Sequence, residues 1–252
     1  VLVGAIVLGL AIPLPAQEPS QPASEPPPRF WEHTTIGFGF NSSSGNLDAK
    51  SLNARLESVI RWSRGELDAT MDADFTEVKG QDLVDRYKLD SALRRSFARN
   101  SRNFGLLHAW LNRDQAAGID FRHSFGLGVG RHVIDQQKGR LTLEGGVAMT
   151  TEELAGGDVR ESFATLFFDP TLHWSLTATT SFQQQVNLRY NFEESEDHRI
   201  HSDSSIGVQI TRRIGIQFSV LVDYDNLPVA GRKKTDVQTS TNVLFTLNPG
   251  PN

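Results

Sequence analysis

SLNARLESVIRWSRGELDATMDADF, residues 51–75, alternates apolar and polar side chains with a period of two on both sides of Arg64-Gly65. Before that pair, Leu52, Ala54, Leu56, Ser58, Ile60 and Trp62 share one face, and Asn53, Arg55, Glu57 and Arg61 share the other. After it, Leu67, Ala69, Met71, Ala73 and Phe75 stand against Asp68, Thr70, Asp72 and Asp74. Successive side chains of a strand point to opposite faces, so this stretch reads as two strands joined by a tight turn. One face is apolar and the other carries full charges.

The same alternation recurs about every 18 residues from Trp31 to Leu247, punctuated by turn residues, and helical periodicity is weak throughout. Phe182, Val186, Leu188, Tyr190 and Phe192 oppose Gln183, Gln185, Asn187 and Arg189. Ile214, Ile216, Phe218, Val220, Val222 and Tyr224 oppose Gln217, Ser219, Asp223 and Asp225. Val237, Thr239, Thr241, Val243, Phe245 and Leu247 oppose Asp236, Gln238, Ser240 and Asn242. Residues 103–112 are ambiguous, with large apolar side chains on both faces. Residues 31–247 divide into twelve strand-plus-turn units, and membrane barrels have strands of ~10 residues in even numbers.

Turn lengths separate a barrel from a soluble sandwich, which would put the charged face outside. Turns at Arg64-Gly65 and around residues 99–102, 177–180 and 213–215 are short. Those at 112–119, 152–158, 193–199 and 226–235 are longer and more polar, although the turn at 135–139 is not especially short. Short inner turns and long outer loops are a feature of outer-membrane barrels. With an inner N-terminus, Trp31, Trp62 and Trp174 fall at one membrane boundary, and Tyr87, Tyr190, Tyr224 and Trp110 near the other. The expectation is an all-β, closed, antiparallel transmembrane β-barrel of about 12 strands in the bacterial outer membrane.

Composition narrows the functional classes. The 252 residues hold 25 Lys and Arg against 30 Asp and Glu, a net charge of −5. No basic excess serves nucleic acid. Mean hydropathy is −0.34, too low for a helical membrane protein but natural for a barrel, where only alternate residues face lipid. The absence of cysteine removes disulfides, thiolate metal sites and a Cys nucleophile.

The chain divides in order. Residues 1–16, beginning VLVGAIVLGLAIPLP, read as the remnant of a secretory signal peptide with cleavage near Ala16. Residues 17–30 are a Pro-rich linker, 31–247 the barrel and 248–252 a tail. STNVLFTL, residues 240–247, is similar to the C-terminal signal read by the barrel-assembly machinery, with Asn242 where that signal prefers Gly. That machinery and the outer-membrane lipid and lipopolysaccharide are the expected partners. Oligomeric state is not encoded legibly.

No motif demands a cofactor. Gly126-x-Gly128-x-Gly130 lacks the strand-turn-helix context and spacing of a dinucleotide site. These glycines instead clear the inner face of a strand whose Phe125, Leu127 and Val129 face lipid. A barrel-borne lipid hydrolase is the sharpest enzymatic alternative, but it needs a nucleophile and a base on the same face. His123 and Ser124 have opposite parity, and so do His201 and Ser204. No catalytic residue is assigned. The acidic loop 193–198 carries carboxylates without metal-ligand spacing, and no metal is assigned.

The inward residues Arg55, Glu57, Arg61, Asp68, Asp72, Asp74, Arg86 and Lys88 form the candidate site. A turn centred at Arg64-Gly65 sets Arg61 opposite Asp68 and Arg55 opposite Asp74. A second hairpin closing near Gly80 sets Asp74 opposite Arg86 and Asp72 opposite Lys88. The expected ladder is Arg55, Asp74, Arg86, with Glu57, Asp72, Lys88 beside it, in which unlike charges on neighbouring strands attract.

Several ordered segments carry a resemblance: Gly37-Phe-Gly-Phe-Asn-Ser-Ser-Ser-Gly45-Asn46, Arg86-Tyr87, the Gly-rich strand, Leu143-Glu144-Gly145-Gly146 and Asp223-Tyr224-Asp225-Asn226-x-Pro228. Together they resemble the salt-induced outer-membrane protein family, domain of unknown function family 481, over about residues 31–247. The resemblance implies a barrel without established catalytic residues and a loose link to salt or alkaline stress. The expected function is a non-enzymatic narrow pore or a structural envelope component. The alternatives are the lipid hydrolase and a soluble periplasmic β-protein that binds a small ligand.

Overall fold

The computed structural model describes residues 33–44, 49–76, 84–99, 101–115, 117–154 and 160–247. The expected signal remnant, linker, Trp31 and tail lie outside them. Twelve strands follow in order: β1 (His33–Ser44), β2 (Ala49–Trp62), β3 (Gly65–Thr76), β4 (Val84–Ser96), β5 (Asn103–Asp114) and β6 (Ile119–Gln136). Then come β7 (Gly139–Leu154), β8 (Arg160–Ser175), β9 (Thr180–Asn191), β10 (His198–Gln209), β11 (Ile214–Asp225) and β12 (Thr235–Thr246). Each pairs antiparallel with its sequence neighbours, and β12 returns to β1 to close the barrel.

Alternation becomes an inside and an outside. Phe125, Leu127 and Val129 on β6 are exposed on the outer wall, as are Phe218 and Val220 on β11 and Val243 and Phe245 on β12. Between them Gln217, Ser219, Gln238, Ser240 and Asn242 point inward and are buried. A continuous apolar outer wall of this extent is not compatible with water, since soluble monomers rarely expose apolar patches beyond a few hundred Å². The soluble-sandwich alternative is thereby removed: among the described residues no second sheet covers the apolar faces, and the barrel crosses a membrane.

The boundary aromatics sit where amphipathic rings belong, with one exception. Trp62 stands across from Gly65 and Trp174 across from Gly139, and each indole covers the glycine it faces. At the other end Tyr87 packs edge-on to Phe75, and Tyr190 edge-on to Phe192. Trp110 does not join this girdle: it lies on the inner face and lines the lumen. On β5 both faces are apolar because the inner one carries buried Phe104 and Leu106.

Two turn expectations need correction. The β2–β3 turn is Ser63-Arg64, one residue earlier than Arg64-Gly65, so Trp62 pairs with Gly65. The β6–β7 turn is only Gln137-Lys138, among the tightest in the barrel. On this end the connections run from two residues to the six of 97–102, while at the other end they reach nine at 226–234.

The seam explains the departure at Asn242. Gly39 on β1 pairs with Asn242 on β12, and the Asn side chain, only 1 % exposed, lies over the glycine. A Cβ at Gly39 would stand 2.0 Å from Thr241 O and 2.2 Å from Asn242 Oδ1. The glycine that the closing strand lacks is supplied by its partner. Gly39→Val should therefore weaken closure by about 1–3 kcal/mol, the usual cost of overpacking. Gly105→Ala, whose Cβ would meet only Phe97 at 3.4 Å, should be tolerated. Heat-modifiable gel mobility of the folded barrel checks this: a lower midpoint is expected for Gly39→Val alone.

Candidate functional site: a lumen crossed by charged side chains

The inner wall has two unlike halves. Midway along β5–β8 it carries an apolar pad, flanked by buried polar side chains such as Glu144, Thr150 and Asp169. The inward glycines Gly126, Gly128 and Gly146 form a floor on which Phe167 lies flat, 1 % exposed, and a Cβ at any of them would approach its ring within 3.0 Å. Gly130 makes the same room for Phe104. The expected clearing of this strand face thus has an occupant. Phe167, Leu106 and Ala92 form a small core inside the barrel. The Arg189 guanidinium lies over the Phe167 ring at 5.5 Å, and His108 tilts against it at 5.6 Å.

The opposite half, along β1, β2 and β9–β12, is polar and less filled. An outer cavity with about 1550 Å³ of empty space, part of it open solvent, occupies the lumen beneath the long loops. A smaller inner cavity of about 590 Å³ lies between Thr35, Gly37, Ser181, Ser205, Gly207 and Gln217, with Glu57 on its wall. Arg55 lines both.

Arg55 stands between the cavities because it is held from two sides. Its Nη1 lies 3.5 Å from Asp72 Oδ1 on the neighbouring β3 and 3.5 Å from Asp203 Oδ2 on β10. β2 and β10 are four strands apart around the barrel, so the second contact spans the lumen. Beside it, Lys88 Nζ on β4 is 2.9 Å from His201 Nε2 on β10. These strands are six apart in a ring of twelve, hence diametrically opposed. His201 Nδ1 is 2.5 Å from Asp223 Oδ1 on β11. The waist is therefore a chain of charged and polar side chains joining facing walls.

The structure redistributes the expected ladder. With the β2–β3 turn one residue earlier, the register moves by two: Arg55 faces Asp72, Asn53 faces Asp74, Arg61 faces Glu66, and Val59 faces Asp68. Glu57 stands opposite Thr70, not beside Asp72. The β3–β4 register sets Asp74 opposite Arg86 and Asp72 opposite Lys88, as the sequence expectation has it. The rows are thus Arg55, Asp72, Lys88 and Asn53, Asp74, Arg86. Arg86 meets Asp114 Oδ2 and Gln238 Oε1, each at 2.7 Å, and Asp74 accepts hydrogen bonds from Asn41 and Gln238. Lower down, Arg61 pairs with Glu66, while Arg94 gathers Glu66 at 3.2 Å, Asp68 at 3.4 Å and Glu144.

Sequence reasoning missed the far sides of these contacts. Asp203, His201 and Asp223 have inward parity, but nothing local says that Asp203 meets a strand four positions away, that His201 meets one six positions away, or that Asp223 holds His201 there. Of the residues weighed for a hydrolase, His123 lies between Phe121 and Phe125 on the outer face, and Ser124 is buried inside against Thr150. His201 points into the lumen, and Ser204 bonds Gln184. In the acidic loop, Asp197 accepts a hydrogen bond from Asn191 and pairs with Arg199. Among the described residues no group of three or more His, Asp or Glu stands ready to hold a metal ion.

The barrel is similar to solved outer-membrane proteins. It superposes on the NanC porin with a TM-score of 0.58 at 10% identity, covering 84% of this chain and 100% of that one. An outer membrane channel from Pseudomonas putida F1 gives 0.53 at 12% identity, covering 91% of this chain and 100% of that one. These likenesses concern the fold. By sequence, no curated protein matches. Residues 36–247 match the model of the family described as protein of unknown function, DUF481, and the chain belongs to that family.

Proposed function

We propose that this protein is a non-enzymatic outer-membrane channel for small polar solutes, narrowed at mid-lumen by Arg55 and its partners. The observation that carries the reading is that one side chain, held by carboxylates of two walls, separates an outer from an inner cavity. Twelve strands lie between barrels that side chains fill, at about 8, and open porins of about 16–18. The fold shared with a porin and a channel supports the reading and the outer-membrane location. In this reading lipid and lipopolysaccharide surround the outer wall, and the barrel-assembly machinery inserts the chain. The stress role implied by the family resemblance goes with it: a deletion strain should grow worse at high salt.

Both signs of charge line the waist, so selectivity is weak in this reading. In planar bilayers the protein should show small steps, and Arg55→Ala should enlarge them roughly twofold or more, because the narrowest section limits conduction. Silence from both proteins, with folding verified by gel shift, would overturn the channel reading. Asp72→Asn with Asp74→Asn should move the reversal potential toward anions.

Orientation has its own check. Cysteine at Ser195, in the longer loop 192–197, should react with an impermeant thiol reagent on intact cells. Cysteine at Ser63, in the two-residue turn, should not. The reverse pattern would invert the topology.

A further inference from the structure

Residues 226–234, between β11 and β12, form a strap across the barrel mouth. Its foot is the Asp225-Asn226 pair that the sequence analysis singled out. Asn226 N–H donates to His198 O, its Nδ2 donates to Glu196 O, and its Oδ1 accepts from Tyr224 and Lys234. Leu227 N–H donates to Asp225 Oδ1. The tip is a four-residue turn closed by Arg232 N–H on Val229 O, with Gly231 at φ +83°, where glycine costs little.

The tip rests on the far rim. Val229 covers Gly118, whose φ of +78° turns the β5–β6 loop beneath it; a Cβ there would touch Val229 at 3.4 Å. Arg232 Nη2 reaches Gln115 O at 3.5 Å. The β11–β12 and β5–β6 connections are half a barrel apart, so the strap spans the full opening.

The strap carries Arg232, Lys233 and Lys234 in sequence, and all three line the outer cavity. Among the described residues that cavity is lined by nine Lys and Arg against seven Asp and Glu. Without the strap the walls alone would hold six against seven. The strap therefore sets the sign of the vestibule. The wall cations Arg86, Arg122 and Arg199 are held by carboxylates. Arg232 and Lys234 instead donate to the neutral oxygens of Gln115 and Asn226, which a carboxylate or phosphate would replace readily.

We infer that the vestibule under the strap is a capture site for soluble polyanions bearing carboxylate or phosphate groups. A low-dielectric mouth with an excess of one sign of charge, here contributed by the strap, draws in ions of the other. The inference deepens the channel reading and rests on it for its physiological sense, but its test reads binding rather than conduction.

Trp110 on the cavity wall is the reporter. Citrate titrated into the detergent-solubilised full chain should change tryptophan fluorescence in a saturable, salt-sensitive way, and Trp110→Phe should abolish the signal. Maltose should give none. Replacing Arg232, Lys233 and Lys234 with Gln should weaken citrate binding tenfold or more, with the gel-shift midpoint unchanged because the strap lies outside the strand ladder. Equal citrate affinity in that variant, an equal response to maltose, or binding of lipopolysaccharide but not citrate would each overturn the site. Conduction without citrate binding removes this inference and leaves the channel; binding without conduction does the reverse.

Discussion

Every backbone N–H and C=O within a bilayer must find a partner in the protein, because lipid offers none and each unmet group costs several kcal/mol. For a sheet this means closure, and closure rests on the ten residue pairs of β1 and β12. Once the ring is closed, parity is shared: a residue slip on any strand would turn its apolar face inward and its charges to lipid. The inner charges follow from the same requirement. At mid-depth on the outer wall a Lys or Arg would cost about 2–4 kcal/mol, so polar residues collect inside. In a ring of only twelve strands they then meet across the lumen, as Lys88 and His201 do.

Closure alone does not say which part of the lumen stays open. The glycine floor of β6 and β7 does. By removing four side chains it lets Phe104 and Phe167 sink into the wall, and those rings fill the β5–β8 side. The inner cavity is displaced toward β1, β2 and β9–β12, where Gly37, Ser181, Ser205 and Gly207 are small. The Gly126-x-Gly128-x-Gly130 run thus sets the lateral position of the inner cavity. Orientation of the strap follows from the same geometry, since its tip lands on the rim above the padded half.

What could be read from the chain was what parity encodes. Inward and outward residues of the clear strands followed from alternation, and Arg55, Asp72, Asp74 and Lys88 fall on the cavity wall. Register was legible only where the turn was placed correctly. Moving one turn from Arg64-Gly65 to Ser63-Arg64 shifts each partner by two and exchanges Asp74 for Asp72 opposite Arg55. Trp110 was misassigned because an apolar inner face defeats the rule that lumen residues are polar. Contacts such as Arg55 with Asp203, 148 positions apart, depend on barrel circumference and strand stagger, neither of which is written in a local pattern.

The two ways of filling the lumen differ in how easily they yield. Removing a buried phenylalanine such as Phe167 costs about 3–5 kcal/mol, because neighbours collapse only partly into the space. A hydrated ion pair contributes about 0–1 kcal/mol, since water and a passing ion replace its partners at little loss. The waist pairs lie beside open cavities, yet Arg55 and Asp203 are each only 13 % exposed, so desolvation offsets much of their attraction and their net contribution is small. The aromatic pad around Phe104 and Phe167 is therefore the fixed part of the inner wall, and the charged contacts are the part that can rearrange at lower cost. In the proposed channel reading, a barrel that crosses its lumen with charged side chains, instead of filling it with apolar ones, has a waist whose contacts exchange partners more readily than a packed aromatic wall can yield.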